Sequence, residues 1–126
     1  MKKIIIVGAG GFGRELLQWI KDINKKILTW EILGFIDDNL NALDDMEIDY
    51  KVIGTIKDWQ PKDDEEFALA IGEPKLKRKI VEHLKAKNAK FATVIHPQAI
   101  ITDFTKYGEG FIMFPGAKLS VNSEIG

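Results

Sequence analysis

Cysteine is absent from the 126-residue chain, proline occurs only four times and histidine twice. Without cysteine there is no disulfide framework, no thiolate nucleophile and no Cys-ligated zinc or iron–sulfur centre. Long apolar runs are also missing. The N-terminal run, Ile4-Ile5-Ile6-Val7, is four residues long, against roughly 18 to span a membrane and roughly 7–15 for the apolar part of a secretory signal. Neither charge sign dominates: 18 Lys and Arg against 19 Asp and Glu leave a net charge of −1. Nothing in that balance favours nucleic acid or an anionic membrane as partner. A cytoplasmic protein is the default these absences leave.

What is present is ordinary for a folded domain, with 45% hydrophobic and 29% charged residues. The length suits one domain and is too short for a nucleotide-binding domain plus a full catalytic domain. Ile4–Val7 is a β-branched run of the kind buried on both faces of a parallel sheet. Phe12, Leu16, Ile20 and Ile23 then recur at helical spacing and predict a helix over about 11–23. Residues 32–36 predict a second strand, ending at Asp37-Asp38-Asn39. The acid-rich stretch 40–50 reads as a loop. Residues 50–54 predict a short edge strand, and Thr55 a cap for a short helix through Trp59. Residues 67–72 predict a buried strand. Pro74 opens a helix to about Ala86 whose core stripe is Leu76, Ile80, Val81 and Leu84. Residues 91–95 predict the last strand of the block. Alternating strands and helices imply a parallel α/β sheet over residues 1–95.

The period then changes. Ile95, Ile101, Tyr107, Met113, Leu119 and Ile125 fall six residues apart. Ala99, Thr105, Phe111, Ala117 and Ser123 stand two positions before the later five, and Gly108 and Gly126 follow two of them. This is the arithmetic of hexapeptide β-helix repeats, in which each hexad forms one wall of a coil. Residues 96–126 are therefore expected to start a β-helix. Two ordinary hairpins with coincidental spacing are the plainer alternative.

Gly8-x-Gly10-x-x-Gly13 follows a strand and opens a helix, the setting that a nucleotide-binding loop requires. Glycine lets the backbone approach a pyrophosphate, and the helix N-terminus supplies N–H groups and a positive dipole end. Asp37, 24 residues past Gly13, ends the second strand, where an acid meets a ribose or base. An NAD(P)-binding oxidoreductase or regulatory module shares this pattern, and a tight turn that binds nothing would also need the glycines. The hexads argue against a dehydrogenase, whose strands and helices should continue.

The segments Ile5-Ile6-Val7-Gly8-Ala9-Gly10-Gly11-Phe12-Gly13-Arg14, Gly34-Phe35-Ile36-Asp37-Asp38-Asn39, Ala70-Ile71-Gly72 and His96-Pro97 stand in order before the hexads. In this combination the chain resembles bacterial sugar acetyltransferases, a family that includes sialic-acid O-acetyltransferases and N-acetyltransferases of UDP-linked amino sugars. The resemblance implies a small Rossmann-like domain for a UDP-linked sugar, then a left-handed parallel β-helix that forms a homotrimer and takes acetyl-CoA between subunits. It implies that Gly8, Gly10, Gly11, Phe12 and Gly13 line the diphosphate side, that Asp37 and Asp38 contact the uridine, and that Ile71 and Gly72 close over it. It also implies a catalytic histidine on a later coil, past Gly126. The chain is then expected to hold one truncated stretch of β-helix, no catalytic residue and no activity alone, and to be monomeric by itself.

Of the two histidines, His83 reads as a surface residue and His96 as a structural one. Lys75, Lys77, Arg78, Lys79, Lys85, Lys87 and Lys90 read as a solvated face, because no aromatic residues interleave them. Arg14 is either a phosphate contact or a surface residue. Trp19, Trp30 and Trp59 read as packing residues. No His/Asp/Glu spacing suits a metal, and Asp44, Asp45, Glu47 and Asp49 lack the glycine of a calcium loop. Ser120 and Ser123 have no base nearby in sequence.

Overall fold

A computed structural model of the chain describes residues 1–101, 106–107, 110, 112–113, 118–119 and 124–125. The first block contains β1 (Lys2–Val7), α1 (Gly11–Lys26), β2 (Trp30–Ile36), β3 (Val52–Gly54), β4 (Glu65–Leu69), α2 (Pro74–Lys85) and β5 (Lys90–Phe91). The five strands form one sheet in the order β3-β2-β1-β4-β5. Every neighbouring pair is parallel.

β1 lies at the centre, and Ile4 through Val7 are each 0% exposed. Alternation along the strand sends Ile4 and Ile6 into the core with Leu16, Leu17 and Ile20 of α1. Ile5 and Val7 enter a second core with Phe67, Leu69, Ile80 and Leu84, on the α2 face. A layer on each side is what keeps a four-residue β-branched run dry. Each such side chain contributes about 1.5–3 kcal/mol by leaving water.

Several predicted elements move. β4 starts at Glu65 and stops at Leu69; the Ala70 amide still donates to the central strand, and residues 71–72 form a loop. Its two glutamates hid the strand's start, yet Glu65 is 2% exposed. Its Oε1 accepts from Trp59 Nε1 and the Lys62 amide, both at 3.1 Å, so the carboxylate is buried with partners. Leu76 is 47% exposed and outside both cores, because it sits in the first turn of α2, at the open end of the sheet. Thr55 does bond forward, its Oγ1 accepting from the Asp58 amide at 3.1 Å, but residues 56–58 form a turn and not a helix. The segment 40–50 is loop and turn, as expected.

The predicted strand 91–95 is two strands. β5 ends at Phe91, and β6 (Val94–Ile95) leaves the sheet. It is followed by β7 (Ile100–Ile101), β8 (Lys106–Tyr107), β9 (Ile112–Met113), β10 (Lys118–Leu119) and β11 (Glu124–Ile125). β6 pairs with β9, β7 with β10 and β8 with β11, all parallel. Val94 is opposite Ile112, Ile100 opposite Lys118 and Lys106 opposite Glu124, in each case a separation of 18 residues. Each large residue of the six-residue period is the second residue of one of these strands. Thr105, Gly108, Phe111, Ala117, Ser120, Ser123 and Gly126 lie outside the described residues. Among the described residues no helix is long and apolar enough to cross a membrane.

Candidate functional site

The order β3-β2-β1-β4-β5 reverses direction between β1 and β4. In an open parallel sheet that reversal leaves a crevice beyond the carboxyl ends of the two strands. The loop after β1 (residues 8–10) and the loop after β4 (residues 70–73) border it, and the loop after β2 carries Asp37 and Asp38 alongside.

The glycines divide by what surrounds them. Gly8 has φ +102°, and a Cβ there would stand 2.9 Å from the Ala70 carbonyl oxygen and 3.0 Å from Ile71 Cδ1. A Cβ on Gly13 would be driven into the Gly8 carbonyl. These two glycines let β1, α1 and the end of β4 approach one another. Gly10 and Gly72 have nothing within 4 Å of an added Cβ, and at Gly11 only Arg14 Nη2 comes near, at 3.8 Å. The chain's own packing does not demand glycine at those three positions, which border open space.

Hydrogen bonds fix the loop at both sides. The Gly8 amide donates to Ile36 O and the Ala70 amide to Val7 O, each at 2.9 Å. The Ala9 amide donates to Asp37 Oδ2 at 2.8 Å, and Asp37 Oδ1 accepts from the Asn39 amide at 2.8 Å. Asp38 is exposed, and its Oδ1 accepts from the Lys57 amide at 3.2 Å. Gly10 caps α1 with no side-chain hydrogen bond, and the first turn holds no acid. The positive end of the helix therefore faces the crevice without a side-chain cap.

Phe12, expected on the diphosphate side, is half-buried and edge-on to Trp19, ring centres 6.2 Å apart. Ile71 is half-buried and Gly72 exposed. Arg14 is half-buried, with Nη1 3.1 Å from Met46 Sδ and Nε 3.5 Å from Gly10 O. Among the described residues it forms no ion pair with a carboxylate within 4.0 Å. A cavity of about 220 Å³ that no sequence motif marks lies beside Asp38, lined by Ile56, Lys57, Lys79, Ile80 and His83. Its walls come from the turn after β3 and from α2, which no local motif joins.

The histidines stand away from the glycine loop. His83 Nε2 lies 3.1 Å from Lys57 O. His96 is 5% exposed. Its Nδ1 accepts from the Gln98 amide at 3.0 Å, which leaves Nε2 as the nitrogen that donates, 2.7 Å from Asp22 Oδ2. His96 hydrogen-bonding, with Gln18 second, holds the Asp22 carboxyl below the usual carboxylate range. Lys75, Lys77, Arg78 and Lys79 are exposed along α2, while Lys87 Nζ donates to Lys57 O at 2.7 Å and Trp59 O at 3.0 Å. Among the described residues no group of three His, Asp or Glu is placed to hold a metal ion.

Residues 3–84 match the family model of the PglD N-terminal domain. The GDP-perosamine N-acetyltransferase of Escherichia coli O157:H7 is 28% identical over 126 aligned positions, which cover 96% of this chain and 55% of that protein. The UDP-N-acetylbacillosamine N-acetyltransferase of Bacillus subtilis (strain 168) is 28% identical over 117 positions, 90% of this chain and 51% of that one. The chain thus spans about half the length of these curated relatives. Among solved structures, the acetyltransferase domain of PglB from Neisseria gonorrhoeae in complex with acetyl coenzyme A superposes with a TM-score of 0.80 at 25% identity, covering 98% of this chain and 58% of that one. PerB from Caulobacter crescentus in complex with CoA and GDP-perosamine superposes at 0.81 with 18% identity, covering 100% and 57%, a likeness of fold alone.

Proposed function

The chain belongs to the PglD N-terminal domain family, and from that premise we propose that it binds the nucleotide sugar for a sugar acetyltransferase that uses acetyl-CoA. One observation carries the reading. The glycine loop lies at the reversal of strand order, and Gly10, Gly11 and Gly72 keep space open that the fold itself does not need. A nucleoside diphosphate suits that space. Its phosphates meet the backbone at Gly10 and Gly11 and the start of α1. Its nucleoside extends toward Asp38, with Ile71 and Gly72 on the other side. The 220 Å³ cavity beside Asp38, lined by Ile56 and Ile80 together with Lys57, Lys79 and His83, offers the base a seat of mixed apolar and polar character.

Residues 96–126 are proposed as the first coils of a left-handed β-helix. Three six-residue walls make an 18-residue coil, and the parallel pairs are separated by that number. Homotrimerisation through this part, with acetyl-CoA bound between subunits, is the assembly expected of the whole enzyme. In the transfer, an amine of the sugar attacks the thioester carbonyl, the carbon–sulfur bond breaks to release coenzyme A, and the amine's proton passes by way of a base to the departing sulfur. His83 and His96 are not that base. His83 faces a backbone carbonyl, and both ring nitrogens of His96 are engaged within the chain. The acceptor is proposed to be an amino sugar, as the names of the two curated relatives suggest.

Calorimetric titration with UDP, GDP and NAD tests the proposal. Binding of UDP or GDP, and no binding of NAD, is expected. Uridine is the base the sequence resemblance implies, and the two nucleotides side by side decide between it and guanine. Binding of NAD with neither diphosphate would overturn the reading.

A further inference from the structure

We infer that Asp37 is a positioning residue for the glycine loop, a brace that shapes the loop for a diphosphate and does not touch the ligand's ribose or base. The inference rests on reading this loop as the diphosphate site.

An acid at the end of β2 in this type of sheet is ordinarily read as a ribose contact. Here each carboxylate oxygen already accepts a hydrogen bond within the chain. Oδ2 accepts from the Ala9 amide and Oδ1 from the Asn39 amide, each at 2.8 Å. Asp37's own amide donates to Gly54 O at 3.1 Å. The residue thus ties the loop after β1 to the loop after β2 and to β3. It is half-buried, whereas Asp38 is exposed.

The chemistry of the loop explains the placement. Ala9 lies between Gly8, wedged against Ala70 and Ile71, and Gly10, which borders open space. A loop rich in glycine gains the most from an external restraint, because glycine has the most backbone freedom to lose. A hydrogen bond to a carboxylate is stronger than one to a neutral acceptor. It fixes Ala9 and with it the path of Gly10 and Gly11. The bond also turns the Ala9 amide away from any phosphate. Two N–H donors on the carboxylate spread a charge that would otherwise repel a diphosphate close by.

The test compares wild type, D37A and D37N. The ligands are inorganic pyrophosphate, whichever of UDP and GDP binds, and the 2′-deoxy form of that nucleotide. Hydrogen exchange at the Ala9 amide is followed by NMR. A brace predicts that D37A weakens pyrophosphate and nucleotide alike, by about tenfold. The cost of deleting the 2′-hydroxyl should then be the same in D37A as in wild type, and Ala9 should lose protection. D37N retains one acceptor oxygen and should restore part of the affinity, and it carries the comparison if D37A does not fold. A loss confined to the nucleotide, or a 2′-hydroxyl effect that vanishes in the variant, would overturn the inference. If wild type binds none of these ligands, the diphosphate reading fails by itself. Ala9 exchange then decides the brace: faster exchange in the variant upholds it, and unchanged exchange removes it.

Discussion

Gly13 and Gly10, on either side of the first turn of α1, make the sharpest contrast in the molecule. Gly13→Ala places a methyl group against the Gly8 carbonyl, which is backbone and cannot swing aside. That overpacking should cost about 1–3 kcal/mol, read as a lower denaturant midpoint. Gly10→Ala meets nothing within 4 Å, and its φ of −77° suits alanine. Stability should stay within about 0.5 kcal/mol of wild type, while nucleotide affinity in calorimetry falls at least about tenfold as the methyl group occupies phosphate space. The motif made all the glycines legible in sequence. It did not sort them, because the atoms that crowd Gly8 belong to Ala70 and Ile71, far along the chain. Arg14 is a related case. A thioether and a long contact to a carbonyl are weak partners for a guanidinium. Arg14→Gln should therefore weaken pyrophosphate binding several-fold and flatten its dependence on ionic strength, as loss of a phosphate-facing cation would. Equal salt slopes in both proteins would return Arg14 to the surface.

Among the elements, α1 does more than open on the glycine loop. Toward its far end Asp22 meets His96, at the start of the six-residue repeats. The Asp22 carboxyl is held low first by the hydrogen bond from His96 and then by that from Gln18. A depressed folded value contributes stability at every pH above the unfolded value of about 3.9 and loses it as pH falls through the folded value. Acid unfolding followed by circular dichroism should thus be less steep below about pH 4 in D22N than in wild type, with little difference in slope near neutrality. Identical acid limbs would mean that the pair orients His96 without contributing pH-dependent stability. The order of elements was legible in sequence because β-branched runs and helical stripes state their own periods. The ends of the elements were not. Glu65 and Glu66 look unsuited to a buried strand until Trp59 and Trp30 bring their indole N–H groups to them. Likewise Phe91–Ile95 reads as one strand, because residues 92 and 93 are apolar or β-branched and nothing local shows that the chain changes sheets between them.

At the scale of the whole molecule, the change of period does not mark a clean division. Val94 belongs to β6, outside the five-stranded sheet, yet it is 0% exposed and sits in the core under α1. Ile112, on the partner strand β9, packs against that same core. A Cβ added to Gly110 would stand 3.3 Å from Phe91 Cβ, on the last strand of the sheet. β6 and β9 are thus seated on the α/β block through apolar contact, and the His96–Asp22 bond is a further tie. Burial of Val94 alone is worth about 1.5–3 kcal/mol, a large share of the margin by which a domain of this size is folded. A variant shortened to residues 1–93 should therefore unfold at a clearly lower urea concentration than the 126-residue chain, with Val94→Ala in the full chain falling between the two. Tryptophan fluorescence, to which Trp19, Trp30 and Trp59 all contribute, would follow all three. If the shortened and full chains unfold together, the repeats rest on the sheet without stabilising it, and the glycine loop owes its shape to residues 1–93 alone.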